Sequence, residues 1–159
     1  MRRPPRRLFD RVIDSEMWVG IVWVGFVMAA VTLLALDLRL PGGLVGGGAP
    51  GSVVEARTMA FTTLVLAQLF NCFNARSDRT SAFHNLFVNP LLWAAIALSL
   101  VLQITVVHVP LLNEAFDTAP LGADDWAVCV WLASVVLWAA EGKKLLQRRW
   151  LRGRPGSLG

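Results

Sequence analysis

The sequence has few charged residues and almost no cysteine, and each scarcity excludes a class of protein. Charged residues make up only 16% of the 159 residues, whereas hydrophobic residues make up 55%. The apolar runs are too long for the core of a soluble protein of this size. The two cysteines, Cys72 and Cys129, have neither the number of a disulfide framework nor the spacing of metal ligands. Both lie within apolar runs, and we interpret them as small helix-packing residues.

A nucleotide-binding motif is also absent from the glycine-rich segment at residues 37–55. This segment contains the stretch PGGLVGGGAPGS, but it has no G-x-x-x-x-G-K-[ST] pattern and no strand is predicted before it. A phosphate-binding loop is therefore the weaker interpretation. We expect a flexible external connection between two helices.

Four apolar runs have the length and composition of membrane-spanning helices. A spanning helix needs about 20 mostly apolar residues. The last run is the shortest, and it reaches full length only if flanking side chains snorkel. The four predicted spans are residues 17–36, 58–75, 91–109 and 126–140.

The basic residues lie mainly on one side of these spans. Five Lys or Arg residues precede the first span, two follow the second and six follow the fourth, which is thirteen of the 15 in the chain. The other two, Arg39 and Arg57, lie between the first and second spans. Because basic residues are enriched in cytoplasmic loops, both termini are predicted to be cytoplasmic. The same distribution argues against nucleic acid as a partner.

The sequence therefore predicts an all-α membrane protein with four transmembrane helices and both termini in the cytoplasm. A basic lead-in occupies residues 1–16, the transmembrane domain occupies residues 17–141, and a basic cytoplasmic tail occupies residues 142–159. In the first span, Gly25 and Ala29 form a small-xxx-small pair that predicts the close approach of another helix.

The second predicted span carries amide side chains among its apolar residues. Gln68 and Asn71 are three residues apart and Cys72 is four residues from Gln68, so all three lie on neighbouring parts of one helical face. An unpaired primary amide is costly in hydrocarbon. We therefore expect this face to meet other helices or a hydrated site, and not lipid.

The connection between the third and fourth spans, residues 111–125, is predicted to be an external loop that Pro110 introduces by ending the third helix. Its four acidic side chains lack the spacing of a calcium-binding loop, so we interpret them as a solvated acidic surface. Asp124 or Asp125 is the candidate cap of the fourth helix. The four acids are Glu114, Asp117, Asp124 and Asp125.

Several groups of residues together resemble a known family. The sequence is similar, over nearly its whole length, to the last four membrane helices of cation-transporting P-type ATPases of the calcium-pump type. The stretch TMAFTTLVLAQLFNCFN is the most specific part of this resemblance. The matching groups are Arg3 to Arg6 (RPPR), Thr58 to Asn74, Asn89-Pro90 with Trp93, and Glu141 to Lys144 (EGKK).

The resemblance implies that these helices support the ion-carrying helices of a pump. In two-site calcium pumps, the corresponding span supplies an acidic cation ligand at the position of Gln68, where this chain has a neutral amide. Gln68 and Asn71 are therefore candidate residues of a cation path, with calcium or a related cation as the ion. For Gln68 itself a helix-packing amide is the preferred role, and a cation ligand is the alternative.

The resemblance also implies a division of labour. The D-K-T-G-T phosphorylation motif of such pumps is absent from the sequence. We therefore expect that the chain alone is not an enzyme and binds no cofactor. Its expected partners are the lipid bilayer and the catalytic and N-terminal transmembrane part of a P-type ATPase.

Two other functions remain open. The first is a small oligomeric secondary transporter, although no span has an ionisable residue in its interior to couple proton movement. The second is an independent membrane subunit that binds a pump through the amide-bearing face. The abundance of Ala, Val, Arg and Gly favours a bacterial inner membrane as the location.

Overall fold

The computed structural model describes residues 15–46, 51–75 and 90–152. These residues form five helices and no strand. The predicted lead-in up to residue 14, the match at Asn89 and the end of the basic tail lie outside the described residues. The helices are α1 (Ser15–Arg39), α2 (Val53–Ala75), α3 (Pro90–His108), α4 (Pro110–Phe116) and α5 (Ala123–Arg152).

Four of these helices, α1, α2, α3 and α5, are long and apolar enough to cross a membrane. This confirms the predicted all-helical fold with four spans. The orientation of the termini stays a prediction, because it depends on the charge bias alone. The helix of the fourth span was expected to continue beyond residue 140 as a basic end, and α5 does continue without a break to Arg152.

The helix α2 is the centre of the bundle. It packs against α1 and α5, which also pack against each other, and it has a smaller contact with α3. Three alanines in this three-helix core, Ala35, Ala67 and Ala133, have no exposed surface. Small residues at helix crossings let the backbones approach closely, and this is the packing that membrane helices favour.

The predicted close approach at Gly25 and Ala29 is wrong within the described residues. Both are exposed, and a Cβ atom built at Gly25 would have no neighbour within 4 Å. At Gly20, one turn earlier, such an atom would lie 2.9 Å from the Lys143 Nζ atom of α5. Of the two glycines of α1, Gly20 is thus the one that another helix approaches, through the end of the Lys143 side chain.

The start of α2 lies five residues before the predicted start of its span. The Ser52 side-chain oxygen accepts a hydrogen bond from the Glu55 backbone N–H (3.1 Å), and the Glu55 carboxylate accepts one from the Ser52 N–H (3.0 Å). This reciprocal capping box satisfies two donors that a helix start leaves unpaired. The capping box places Arg57 within the helix, so α2 begins outside the apolar run.

The connection after α1 is anchored by the carboxylate of Asp37. Its oxygens accept hydrogen bonds from the backbone N–H groups of Leu44 (2.8 Å), Val45 (2.6 Å) and Gly46 (3.4 Å). The expectation of a flexible connection is therefore wrong for residues 40–46. This segment turns back and is held against the end of the helix.

The glycines of this connection are needed because the backbone passes close to the end of α1. A Cβ atom at Gly43 would lie 2.2 Å from the Asp37 carbonyl oxygen, and one at Gly46 would lie 2.6 Å from that of Leu38. Gly42 has a φ angle of +80°, which disfavours other residues. The segment covers carbonyl groups that a helix end leaves without intrahelical partners.

Gly43→Ala is expected to lower the free energy of unfolding by roughly 1–3 kcal/mol, because the added methyl group overlaps the Asp37 carbonyl and the turn must shift. Gly25→Ala is the matched control. Its Cβ atom meets nothing, so it should be neutral or stabilise α1 by about 0.5–1 kcal/mol. Thermal unfolding of both variants in detergent micelles tests the difference, and equal midpoints would contradict the close approach.

The predicted external loop at residues 111–125 contains the short helix α4. Pro110 ends α3, as expected, but it also occupies the first turn of α4, where its missing N–H costs nothing. The helix ends at Asp117, whose φ of 52° is left-handed and whose N–H bonds to the Asn113 carbonyl. The same proline thus both stops one helix and starts the next.

Candidate functional site

The amide-bearing face of α2 is the side of that helix that the other described helices leave exposed. Four of its exposed residues recur at intervals of four and seven positions, which places them on one stripe. Gln68 lies in this stripe, and the half-buried Asn71 lies at its edge. The four residues are Arg57, Phe61, Gln68 and Cys72, and we call Gln68 and Cys72, with Asn71 beside them, the amide stripe.

The structure thus brings Gln68 and Asn71 to one face, as predicted, but no other helix of the described chain covers Gln68. The packing interpretation is confirmed for Cys129, which is fully buried, whereas Cys72 is exposed. Within residues 15–46, 51–75 and 90–152 there is no cluster of three His, Cys, Asp or Glu side chains that could hold a metal ion. The amide stripe therefore presents neutral oxygen and nitrogen atoms without a carboxylate cluster.

The opposite, buried side of α2 carries polar contacts that the sequence analysis missed. The Thr58 hydroxyl donates to the Val54 carbonyl (2.8 Å) and accepts from the Ala119 backbone N–H (2.9 Å). One turn later, the Gln103 amide of α3 donates to the Thr62 hydroxyl (2.9 Å). The four-residue spacing of the two threonines was the available signal, since it places both on one helical face.

These contacts hold α3 and the segment before α5 against α2. Thr58 and Thr62 are fully buried, and Gln103 is the buried amide of the third span. At the end of α3, the His108 ring stacks on Trp126 of α5 with the ring centroids 6.2 Å apart. The polar side chains of α2 thus include a buried set, Thr58 and Thr62, that joins the described helices, and the exposed Gln68, which none of those helices covers.

The two basic residues that depart from the charge bias both form ion pairs. Arg39 at the end of α1 donates from Nε to Asp125 Oδ1 (2.9 Å), and a second guanidinium nitrogen contacts the same oxygen. Arg57 near the start of α2 donates to Asp117 Oδ2 (2.6 Å). Both pairs lie at one end of the bundle, which we call the outer end in accordance with the predicted topology.

The expectation that the acids of residues 111–125 form a solvated surface is therefore wrong for one of the four, Asp125, whose side chain is only 16% exposed. Asp117 is also paired but stays exposed, as Glu114 and Asp124 do. Asp125 also accepts a hydrogen bond from the Gly122 N–H (3.2 Å) at the start of α5. Both predicted capping candidates lie inside α5, which begins at Ala123, and Asp125 at its third position reaches back to the Gly122 N–H as the acid of a capping box does.

Comparison with known proteins identifies the family. Residues 1–146 match the family model described as "Cation transporting ATPase, C-terminus". The chain is 29% identical to a calcium-transporting ATPase of Bacillus subtilis over 94% of its own length. It is 36% identical, over 89% of its length, to the plasma membrane-type calcium-transporting ATPase 7 of Oryza sativa subsp. japonica. It is 30% identical, over 99% of its length, to calcium-transporting ATPase type 2C member 2 of Mus musculus.

The share of each relative that is matched is small. The aligned region covers 16% of the Bacillus and mouse proteins and 13% of the rice protein. The match includes all four spanning helices of this chain together with the stretch that carries Gln68. This chain belongs to the family of cation transporting ATPase C-termini, and its helices form part of the membrane domain of a P-type cation ATPase.

Proposed function

We propose that this chain supports the membrane domain of a calcium or related cation pump by seating its amide stripe against helices from the rest of the pump. The observation that carries this proposal is the exposure of Gln68 on α2, the helix at the centre of the bundle. An amide that faces lipid in a spanning segment would be left without a hydrogen-bond partner, at a substantial free-energy cost. A neighbouring helix or a hydrated path supplies that partner.

The proposed partner is the catalytic and N-terminal transmembrane part of the pump, whether joined to this chain or separate from it. The relatives are six to eight times longer than the region they share with this chain, as the 16% and 13% coverage implies. That additional length has room for the ATP-hydrolysing domains and the remaining spans. In this proposal, the present chain supports the membrane domain, and the partner hydrolyses ATP.

The proposed role of Gln68 and Asn71 in the cation path is that of neutral oxygen ligands. Calcium is bound by carboxylate, carbonyl and amide oxygens, and an amide supplies such an oxygen without charge. Since no carboxylate cluster accompanies them in the described residues, the charge that balances the cation comes from the partner. A site built this way binds one main cation at this level of the membrane.

The proposed location is a bacterial inner membrane, with both termini on the cytoplasmic side. The charge bias supports this orientation, with thirteen of the 15 basic residues on one side of the spans. Ion pairing of Arg39 and Arg57 with acids also supports it, because the two exceptions to the bias are both neutralised locally. The composition rich in Ala, Val, Arg and Gly supports a bacterial source.

The test is coexpression of this chain with the Bacillus calcium-transporting ATPase truncated where its similarity to this chain begins. Gln68→Ala is expected to reduce copurification and ATP-driven calcium uptake by roughly three- to tenfold, the ratio that about 0.6–1.4 kcal/mol of interhelical hydrogen bonding represents. Gln68→Glu should retain copurification and change the calcium dependence of uptake, because it adds a charged ligand.

Leu98→Ala is the matched control for this experiment. Leu98 is exposed in the spanning part of α3, so the truncation should leave copurification and uptake unchanged. If Gln68→Ala and Leu98→Ala behave alike, the amide stripe is not the contact surface. Failure of the chain to copurify at all, or proton-linked efflux from vesicles that contain only this chain, would favour an independent transporter instead.

A further inference from the structure

A pocket of about 210 Å³ opens at the outer end of the bundle, between α2 and the segment that follows α4. One water occupies about 30 Å³ of the liquid, so the space is too large for a single water or ion. The pocket combines one cation, one anion, two aromatic rings and two hydroxyl groups. Its lining residues are Arg57, Thr58, Phe61, Phe116, Asp117 and Thr118.

The charged groups of the pocket are accessible to a ligand. Arg57 and Asp117 contact each other through Nη1 and Oδ2, with 55% and 61% of their side-chain surfaces exposed. An ion pair this exposed contributes little to stability, so a ligand can separate its members at little cost. The guanidinium has five N–H donors in a planar fork, and the carboxylate has two oxygens, so both have capacity beyond this one contact.

The hydroxyl groups of the pocket are already used by the protein. Thr58 donates to the Val54 carbonyl, and Thr118 donates to the Val106 carbonyl (2.9 Å). The two aromatic side chains are open instead, with Phe61 40% and Phe116 58% exposed. A ligand would therefore be recognised by one positive group, one negative group and an apolar wall.

By the predicted topology, the pocket lies at the level where lipid headgroups meet the hydrocarbon region. Arg57 is in the first turns of the α2 spanning segment, Val53–Cys72, and Phe61 is one turn further along it. Gln68 lies 11 residues from Arg57, or about 16 Å along the helix, so the pocket is separate from the proposed cation path. The basic and apolar groups are thus stacked in the order in which a phospholipid presents phosphate and acyl chain.

We propose that this pocket binds a phospholipid whose headgroup carries both a phosphate and a primary ammonium group, as phosphatidylethanolamine does. Arg57 binds the phosphate, for which the planar guanidinium is well suited. Asp117 accepts hydrogen bonds from the ammonium group, and the start of the acyl chains lies between Phe61 and Phe116. The carboxylate selects against anionic headgroups by repulsion, and a quaternary ammonium lacks the donors that Asp117 binds.

The experiment uses the full chain, extracted from vesicles that contain equal amounts of phosphatidylethanolamine, phosphatidylcholine and phosphatidylglycerol. Native mass spectrometry then measures which lipid is retained. We expect phosphatidylethanolamine to be retained over phosphatidylglycerol by about tenfold, the ratio of one charge-assisted hydrogen bond. Arg57→Gln should reduce retention of all three lipids, and Asp117→Asn should remove the preference for phosphatidylethanolamine.

Two matched controls separate the pocket from general effects of charge and apolar surface. Asp124→Asn removes an exposed acid at the same end of the bundle, and Phe26→Ala removes an exposed aromatic ring of α1, while both leave the pocket intact. Both should retain the preference, whereas Phe61→Ala should weaken lipid retention.

Equal retention of the three lipids, or retention that Arg57→Gln does not change, would overturn the proposal. Higher retention of phosphatidylglycerol would also overturn it, because Asp117 would then have no role in recognition. Helical content and the unfolding midpoint of each variant are measured alongside. Since Arg57 and Asp117 are exposed, the variants should fold, and a loss of retention in a folded variant reports on the pocket.

Discussion

Ala133→Leu is expected to destabilise the bundle by roughly 2–3 kcal/mol, because Ala133 has no exposed surface and lies in the core where α5 packs with α1 and α2. A leucine at this point forces the helices apart and separates contacts along their length. Loss of the close crossing removes the packing that associates helices in a membrane, where apolar side chains gain little from leaving lipid.

Ala127→Leu on the same helix is the control for this substitution. Ala127 is exposed, so the larger side chain has room. It should change the free energy of unfolding by no more than about 0.5 kcal/mol. Unfolding of both variants by denaturing detergent, followed by circular dichroism, measures the difference. An equal effect at the two positions would contradict the packing of α5 described here.

Asp125→Ala is expected to destabilise the outer end by about 2 kcal/mol, because one carboxylate both pairs with Arg39 and caps the start of α5. The pair is only partly exposed, with 31% of the Arg39 side chain and 16% of the Asp125 side chain accessible. Water and salt therefore weaken it less than they weaken the exposed pair of Arg57 and Asp117.

A double-mutant cycle with Arg39→Gln separates the two roles of Asp125. The interaction energy between the two positions reports the ion pair, and the remainder of the Asp125→Ala effect reports the helix cap. Asp124→Ala is the control, since this neighbouring acid is exposed and should have little effect on the midpoint. Strictly additive effects of Arg39→Gln and Asp125→Ala would show that the pair contributes nothing to stability.

The outer end illustrates how the charge distribution of the sequence relates to the structure. Arg39 and Arg57 depart from the bias that places basic residues on the other side of the membrane, and each is matched to an acid more than fifty residues away, as the separations of 86 and 60 positions show. Local neutralisation lowers the cost of leaving a basic residue at this end. Sequence separations of this size give no indication of which arginine meets which acid.

The four spans could be predicted because hydrocarbon imposes a simple requirement on the chain. Every backbone polar group must be paired within the membrane, so an apolar run of sufficient length forms a helix almost regardless of its neighbours. The resemblance carried by Thr58 to Asn74 is confirmed by the family match, and that stretch lies in the central helix of the bundle. The placement of Gln68 and Asn71 on one face also followed from helical periodicity alone.

Local interpretation failed where a residue had two compatible roles. The sequence predicts Pro110 only as the end of a helix, but this residue also starts α4. The glycines after α1 predict flexibility, whereas Gly43 and Gly46 permit a close backbone approach to the end of that helix. The composition shows only that a glycine permits unusual backbone angles and close contacts. Whether a glycine is needed depends on which backbone atoms lie beside it, here the carbonyl groups at the end of α1.

The sequence by itself determined the number of spans, the helical fold, the family and the periodicity that gathers the amides, because these depend on composition and local spacing. The tertiary structure decided which side of each helix is covered. Gly25 and Gly20, or Ala127 and Ala133, have the same local chemistry, yet only Gly20 and Ala133 meet another helix. In a membrane the exposed and buried sides are both apolar, so hydrophobicity does not distinguish them, and the distinction depends on contacts between distant segments.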